Sequence, residues 1–175
     1  KKLILIIKFF HKILMINLFS IKNHELNSSL INNIIRLKNT HWKYSLAAQK
    51  VFLKKNYKKN DFHNLLFYKK KLIGYTGFRN QDFYYKKKKY KFLYFDCLII
   101  SKEFRNNKLS KLIMNFNEYT IKKKGLPSIL FCEKNLIKFY RKFSWRKISQ
   151  KKFEFLIKRK PKKFIMQLNL NLGKI

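Results

Sequence analysis

An apolar stretch that runs directly into a polar turn and a helical pattern is the sequence feature that most restricts the fold. Residues 92–100 read FLYFDCLII and predict a buried strand. A polar turn follows at 102–108, and apolar residues then recur at helical spacing over 109–124, where Gly125 ends the pattern as a C-cap glycine. Backbone N–H groups at a helix start have no partner within the helix and favour an anion. The segment therefore predicts a strand–turn–helix unit with an anion site at the turn.

The patterns on either side extend this unit into one mixed domain. The further helices are predicted at 26–38 (with Asn27 or Ser28 as N-cap), 42–54 and 135–143, and the further strands at 62–68, 72–79, 128–132 and two or three within 145–172. A basic, aromatic loop is predicted at 81–89. Gly74 and Gly77 indicate close backbone approach or a bulge in the hairpin. We expect a single α/β (α+β) domain over 15–175, preceded by an uncertain extension at 1–14.

The charge of the chain has two interpretations. The 175 residues are 46% hydrophobic, which argues against disorder, and the formal net charge is +35. Such a charge suggests an anionic partner, namely nucleic acid, a membrane surface or a phosphate-rich ligand. However, the lysines are spread along the whole chain, and a composition rich in Lys, Asn and Ile with only 4 Gly is typical of an AT-rich genome. We favour solvated lysines, so a nucleic-acid partner is possible but not favoured.

The N-terminal segment and the cysteines restrict localisation and metal chemistry. Residues 1–14 (KKLILIIKFFHKIL) resemble a poor signal peptide. Their apolar run is too short, and too interrupted by charged residues, to span a bilayer. The alternatives are a weak membrane-surface helix or a true start at Met15. Cys97 and Cys132 lie outside any CxxC pattern and are expected in the core of a cytoplasmic protein. His24 and His41 have no partner at metal-ligand spacing, so we expect no metal site.

Three motifs in a fixed order carry a family resemblance. They are L-I-G-Y-T-G-F-R at 72–79, R-N-N-K-L-S at 105–110 and N-L-I-K-F-Y-R-K-F-S-W at 135–145. Together they resemble the GNAT acetyltransferase family over about residues 26–148. In that family an R/Q-x-x-G-x-G/A loop and the following helix hold the pyrophosphate of acetyl-CoA, and an Asn and an F-Y-x-x-x-G-F pattern belong to a later helix. The resemblance implies the GNAT fold, a mixed central sheet with splayed parallel strands flanked by helices on both faces, and acetyl-CoA as the cofactor.

The resemblance also implies which residues contact acetyl-CoA. These are the main chain of Leu98, Ile99 and Ile100, the loop residues Arg105, Asn106, Asn107, Lys108, Leu109 and Ser110, and Asn135 at the pantetheine arm. Lys108 and Ser144 stand where the family has glycine, and Ser110 where it has Gly or Ala. Lys108 would crowd the loop if its position needs a positive φ, or it could supply a cation to the phosphates.

The candidate catalytic residues are Tyr140 and Asp96. The resemblance places Tyr140 near the thioester sulfur as a general acid, and the alternative is a packed aromatic. Asp96 lies within an apolar strand, where a raised pKa would suit a base, and the alternative is an outward carboxylate beside lysines. Glu103 is better explained as a solvated charge.

The acceptor site is expected near Trp42, His63 and Arg79, although a lone strand histidine such as His63 is often structural. We therefore predict an N-acetyltransferase that moves acetyl from acetyl-CoA to an amine of a small molecule, an amino sugar among the candidates, or of a protein. The basic surface would favour an anionic acceptor such as a nucleotide-linked sugar. The alternatives are a catalytically degenerate GNAT-like scaffold that binds RNA or a ribosome through its basic surface, and a decayed gene product.

Overall fold

One mixed β-sheet forms the centre of the molecule. The computed structural model describes residues 15–85, 87–148, 154–155 and 164–170, so the interpretations of segment 1–14 lie outside the described residues. The strands are β1 (Ile16–Lys22), β2 (Phe62–Tyr68), β3 (Lys71–Tyr85), β4 (Lys88–Ile100), β5 (Ser128–Cys132), β6 (Arg146–Ile148), β7 (Glu154–Phe155) and β8 (Phe164–Leu168). Their spatial order is β1-β2-β3-β4-β5-β8-β6, and β7 pairs with β3. β4 and β5 are a parallel pair, as predicted for the two apolar strands.

Four helices connect the strands and cover both faces of the sheet. They are α1 (Ser28–Asn39), α2 (Leu46–Asn56), α3 (Leu109–Lys124) and α4 (Ile137–Arg141). Asn27 caps α1, because its side chain accepts a hydrogen bond from the Leu30 amide at 2.9 Å. Gly125 ends α3 with a φ of 64°, the predicted left-handed C-cap. None of the helices in the described part of the chain has both the length and the apolar content needed to cross a membrane.

The core has one layer on each face of the sheet. α1 and α2 pack Ile34, Ile35 and Leu53 against sheet residues that include Leu65 and Ile99. α3 and α4 pack on the opposite face, where buried residues from the helices meet the sheet; these include Met114, Ile121, Tyr140, Phe78, Phe95 and Trp145. Both cysteines are buried, in agreement with the sequence. The predicted architecture, a mixed central sheet flanked by helices on both faces, is therefore confirmed.

Two irregularities in the β3 pairings match the two glycines of the hairpin. The β2–β3 register shifts between Leu66 and Phe67, beside Gly74, and the β3–β4 register shifts between Gly77 and Phe78. At the second shift Gly77 pairs with Cys97 and Phe78 with Phe95, so Asp96 is left as the extra residue of a β-bulge. Because of the bulge, Asp96 and Cys97 lie on the same face of the sheet although they are consecutive. Cys97 packs against the α1–α2 layer, and the Asp96 carboxylate accepts a hydrogen bond from the Tyr57 hydroxyl of that layer.

The prediction of a loop at 81–89 is wrong. β3 continues to Tyr85 and β4 begins at Lys88, so most of this segment forms a long hairpin. Phe83 is fully buried with Phe92, Ile129 and Ile165, and this burial holds the hairpin against the sheet despite its lysines. The helix predicted at 135–143 is also shorter than expected: a 3₁₀ turn at Lys134–Leu136 precedes α4.

Candidate functional site

A cleft opens where β4 and β5 separate. The two strands pair only at Leu93 with Ser128 and at Tyr94 with Ile129, and the Ser128 hydroxyl donates to the Leu93 carbonyl at 2.8 Å. Past Tyr94, β4 pairs with β3, whereas β5 pairs with β8. The cleft beside this free backbone edge has a volume of about 440 Å³. It is lined by His41, Leu98, Ile99, Ile100, Phe104, Arg105, Asn106, Leu109, Ser110, Leu136, Phe139 and Tyr140.

The loop between β4 and α3 borders the cleft and contains backbone amides without a partner. Asn106 and Lys108 have positive φ angles of 65° and 57°, and Lys108 is the N-cap of α3. Within the described part of the chain, no protein group accepts a hydrogen bond from the backbone N–H groups of residues 106–110. The Arg105 side chain ties the loop to β4, since its Nε donates to the Ile100 carbonyl at 3.1 Å. Unpaired amides next to the positive end of the α3 dipole are suited to an anion.

Lys108 and Ser144, which stand at glycine positions of the resembling motifs, both adopt the left-handed conformation. The φ of Ser144 is 62°. Its amide donates to the Arg141 carbonyl, and the Trp145 amide donates to the Tyr140 carbonyl, which is the hydrogen-bond pattern of a Schellman motif with Ser144 at C′. The chain therefore keeps the glycine-type backbone at both positions, with side chains that are strained there.

Replacing each residue by glycine is expected to stabilise the protein. Lys108→Gly and Ser144→Gly should each raise the free energy of unfolding by about 0.5 to 1 kcal/mol, because relief of left-handed strain outweighs the added freedom of the unfolded chain. Urea denaturation measures the change. Gly125→Ser is the matched control, since Gly125 has a φ of 64° and open space where its Cβ would lie. It should destabilise, and stabilisation by Gly125→Ser would contradict the strain explanation.

Tyr140 forms part of the cleft wall from α4. Its ring is 7% exposed and packs edge-on against Phe95 and Trp145. Its hydroxyl has no hydrogen-bond partner among the described residues. Burial raises the pKa of Tyr140 well above its ordinary value, so the phenol keeps its proton at neutral pH. The residue is thus both a packed aromatic and a protonated hydroxyl at the cleft.

Asp96 lies on the other side of the sheet, in an ion pair. Its carboxylate accepts hydrogen bonds from the Tyr57 hydroxyl at 2.8 Å and from Arg79 at 3.1 Å, and the Arg79 guanidinium lies 4.7 Å from the centroid of the Tyr94 ring. Burial, the largest single cause, would lower the pKa of Arg79, but the charges of Asp96, Tyr57 and Tyr94 and the hydrogen bond to Asp96 together outweigh it, so the net shift is upward. Gly77 makes room for this arrangement, because a Cβ there would overlap the Tyr57 hydroxyl. Asp96 is therefore neither in the cleft nor an outward carboxylate beside lysines.

His63 is buried in the same polar network and does not line the cleft. It is 0% exposed, with its ring nitrogens 2.8 Å from the Tyr75 hydroxyl and 3.1 Å from Asn23 Oδ1. Burial, followed by the positive charge of Lys38, lowers the pKa of His63 to about 3, so the imidazole is neutral in the folded protein. The structural interpretation of His63 is the one that its surroundings support.

The buried neutral imidazole predicts a pH dependence of stability. Because the folded pKa of about 3 lies below the unfolded value of 6.5, the unfolded state binds the extra proton first, and stability is lost as the pH falls below 6.5. Between neutral pH and about pH 5 this group should lower the free energy of unfolding by about 2 kcal/mol. A series of urea melts at different pH values should show a shallower acid dependence in His63→Gln than in the wild type. An unchanged dependence would contradict the assignment.

The cleft contains part of the predicted cofactor, catalytic and acceptor residues. The predicted cofactor residues that line it are Leu98, Ile99, Ile100, Arg105, Asn106, Leu109 and Ser110, and Tyr140 joins them. Asn107, Lys108 and Asn135 are exposed beside it, and Leu136 rather than Asn135 faces it. Trp42 is half-buried in the α1–α2 layer, and Arg79 pairs with Asp96. Glu103 is exposed, and its pKa is lowered by hydrogen bonds from Lys71 and then Ser101.

Sequence reasoning missed four residues of the cleft: His41, Phe104, Leu136 and Phe139. Leu136, Phe139 and Tyr140 lie at helical spacing, so the period could have identified the first two. His41 precedes Trp42 between α1 and α2, and its ring packs edge-on against Trp42 at 4.7 Å. No local pattern signals that this turn reaches the end of β4.

A family model decides the classification. The model of the acetyltransferase (GNAT) family matches residues 31–145, which include the amide loop and the cleft. The chain belongs to the GNAT family. No curated protein matches the sequence. GNAT proteins are acetyl-CoA-dependent N-acetyltransferases, so the chain is an acetyltransferase domain.

Solved structures resemble this GNAT chain in fold. Escherichia coli ElaA is 14% identical with a TM-score of 0.63, covering 87% of this chain and 99% of its own. The ribosomal-protein-S18-alanine N-acetyltransferase from Escherichia coli is 12% identical with a TM-score of 0.61, covering 90% and 99%. The PaiA N-acetyltransferase from Thermoplasma acidophilum, in complex with coenzyme A, is 18% identical with a TM-score of 0.54, covering 86% and 98%.

The residues of the cleft fit acetyl-CoA. The free amides of residues 106–110 suit a pyrophosphate, and the unpaired edge of β4 suits the amide groups of a pantetheine arm. The apolar side chains of Leu98, Leu136 and Phe139 would exclude water around a bound arm.

Proposed function

We propose that this GNAT domain acetylates a primary amine of a small molecule or a protein, with an anionic acceptor such as a nucleotide-linked amino sugar preferred over a cationic one. The observation that carries the proposal is the cleft between β4 and β5, which has an anion site at one end and the Tyr140 phenol on its wall. An active enzyme is favoured over a degenerate scaffold because Lys108 and Ser144 keep the left-handed backbone of the glycines they replace.

The loop and the strand edge position the cofactor. In the proposed arrangement the amides of residues 106–110 bind the pyrophosphate, and the main chain of Leu98–Ile100 aligns the pantetheine arm. Acetyl-CoA supplies an activated acetyl thioester, and the protein contributes mainly orientation and exclusion of water. Since these contacts use the backbone, they do not depend on the side chains at the family glycine positions.

Two side chains of the cleft are assigned to proton transfer. Tyr140 would give its proton to the departing sulfur, since burial raises its pKa and keeps it protonated. His41, the imidazole among the residues that line the cleft, would take the proton lost by the amine. The amine nitrogen then bonds to the acetyl carbon, the carbon–sulfur bond breaks, and the products are an amide and free CoA thiol. Asp96 is not assigned this role, because its carboxylate is held by Tyr57 and Arg79.

The proposed role of the loop in binding the pyrophosphate can be tested by placing a negative charge in it. Ser110→Asp puts a negative charge in the first turn of α3, where it should stabilise the helix yet repel the pyrophosphate. We expect acetyl-CoA to raise the melting temperature of the wild type, and the affinity to fall about tenfold or more in Ser110→Asp. Ser110→Ala is the matched control and should bind nearly as well as the wild type. No melting shift at about millimolar acetyl-CoA would contradict the proposed function.

The acceptor is tested by release of CoA thiol with a panel of amines. The panel contains a nucleotide-linked amino sugar, a free amino sugar, an aminoglycoside and a peptide with a free N-terminus. With a net charge of +35, we expect faster turnover of the anionic acceptor at low salt, and a loss of that advantage as salt rises. A preference for the polycationic aminoglycoside at low salt would contradict the anionic class while leaving the acetyltransferase activity intact.

A further inference from the structure

A second concave site lies at the opposite end of α3 from the amide loop. Its volume is about 650 Å³, and we call it the lysine groove. It is lined by Lys22, Lys58, Lys59, Asn60, Asp61, Asn80, Gln81, Asp82, Lys91 and Lys124. α3 ends at Lys124 and begins beside the amide loop, so its length of about 24 Å separates the groove from the acetyl-CoA cleft.

The groove brings together lysines from distant parts of the chain. Lys22 ends β1, Lys58 and Lys59 lie between α2 and β2, Lys91 is in β4, and Lys124 ends α3. In the described part of the chain none of these five ammonium groups has an ion-pair partner. The fold therefore brings five lysines from distant parts of the sequence around one concavity.

Neither carboxylate of the groove forms an ion pair with these five lysines. Asp61 is 1% exposed, and its oxygens accept hydrogen bonds from the amide of Lys58 at 2.7 Å and from the amide and side chain of Asn80 at 2.7 and 3.0 Å. Asp82 pairs with Lys89 at 3.1 Å. Asp61 thus braces the floor of the groove, and the lysine charges remain available to a ligand. A concave surface with charge of one sign focuses its field on an anion.

Further lysines lie on the hairpin that adjoins the groove. Lys87 and Lys88 are exposed on the β3–β4 hairpin, whose strands contribute Asp82 and Lys91 to the groove, and the neighbouring Lys89 pairs with Asp82. A linear polyanion can follow this path, whereas a compact anion would contact only the groove.

We propose that the lysine groove and the adjoining hairpin bind the phosphodiester backbone of a nucleic-acid strand. The lysines contact successive phosphates, and binding is independent of base sequence, because the groove offers cations rather than a stacking platform or a base-reading pattern. The site is separate from the acetyl-CoA cleft, so strand and cofactor bind at the same time.

The experiment measures binding of fluorescein-labelled single strands of about 16 nucleotides, oligo(U) and oligo(dT), by anisotropy over a range of salt concentrations. The groove variant is Lys58→Gln/Lys59→Gln/Lys91→Gln. The control is Lys50→Gln/Lys54→Gln/Lys142→Gln, three exposed lysines outside the groove with the same loss of charge. The groove variant should bind about tenfold more weakly at about 0.1 M salt, and its log–log salt slope should fall by about 2 units, whereas the control should change far less.

The outcomes separate the possible ligands. Equal binding of oligo(U) and oligo(dT) supports a backbone site, and tighter oligo(U) supports a site that also reads the 2′-hydroxyl. Equal losses in the groove and control variants would show that the charge acts diffusely and would overturn the proposal. It would also be overturned if tripolyphosphate displaced the strand as effectively as unlabelled oligo(U), or if the groove variant lost binding only to phosphatidylglycerol vesicles.

The inference is independent of the proposed acetylation. Acetyl-CoA should raise the melting temperature of the groove variant as much as that of the wild type, because the groove lies at the far end of α3. Conversely, Ser110→Asp should keep strand binding and lose cofactor binding. A defect shared by both variants would show misfolding, which melting curves without ligand reveal.

Discussion

A Tyr140→Phe variant is expected to lose about a hundredfold in kcat while keeping its affinity for acetyl-CoA. The substitution removes only the hydroxyl, whose proton is retained at neutral pH because burial raises its pKa. The ring contacts with Phe95 and Trp145 remain, so the fold should be unaffected. Steady-state release of CoA thiol gives kcat, and a melting-temperature titration with acetyl-CoA gives the affinity. A loss confined to kcat indicates an interaction made in the transition state.

Tyr119→Phe is the matched control for this experiment. Tyr119 is on α3 and is 59% exposed, so loss of its hydroxyl should leave both kcat and affinity unchanged. If Tyr140→Phe kept full activity, Tyr140 would be only a packed aromatic. In that case the proton needed by the leaving thiolate would come from water or from His41.

The second large effect concerns stability, and it is expected in Asp96→Asn. The side chains of Arg79 and Asp96 are only 16% and 9% exposed, so removing the carboxylate charge leaves the guanidinium without its counter-charge in a poorly solvated place. The free energy of unfolding should fall by about 3 kcal/mol. Urea denaturation at neutral pH measures this change, and the isosteric amide can still accept the hydrogen bond from Tyr57.

A double variant separates the ion pair from the packing. Arg79→Met should also destabilise, because it leaves Asp96 unpaired, whereas Arg79→Met/Asp96→Asn removes both charges and should recover much of the loss. Strictly additive losses would show that the pair contributes through shape rather than charge. Since neither side chain lines the cleft, acetyl-CoA affinity should be unchanged in all three variants.

The features that the sequence predicts well are those with local causes. The strand–turn–helix unit follows from a change in apolar period, the cap at Asn27 from a short polar side chain, and the end of α3 from Gly125. The anion site expected at the start of α3 also has a local cause, because a helix start leaves its own first amides without partners. The assignment of the loop residues and of the main chain at the end of β4 to the cofactor rests instead on the family resemblance.

The features that the sequence does not predict depend on tertiary contacts. Burial of Phe83 against Ile129 and Ile165 extends the hairpin through a run of lysines that, taken alone, is typical of a loop. The hairpin glycines indicate a bulge but do not give its position in β4, and this position decides which face the Asp96 carboxylate occupies. His41 reaches the cleft only because α1 packs on the sheet. The gathering of lysines in the groove likewise arises from the fold.

The amide loop explains how a chain of this composition can keep an enzymatic site. A site built from main-chain N–H groups does not depend on the chemistry of its side chains. Substitutions toward lysine, asparagine and isoleucine should therefore have little effect on the binding of an anion there. Lys108 and Ser144 show the limit of that tolerance, because each keeps the required turn at the expense of local strain. Selection on such a site acts on backbone shape. In AT-rich genomes, searches for motifs with fixed residue types should therefore fail to detect members of this family that still keep the main-chain site.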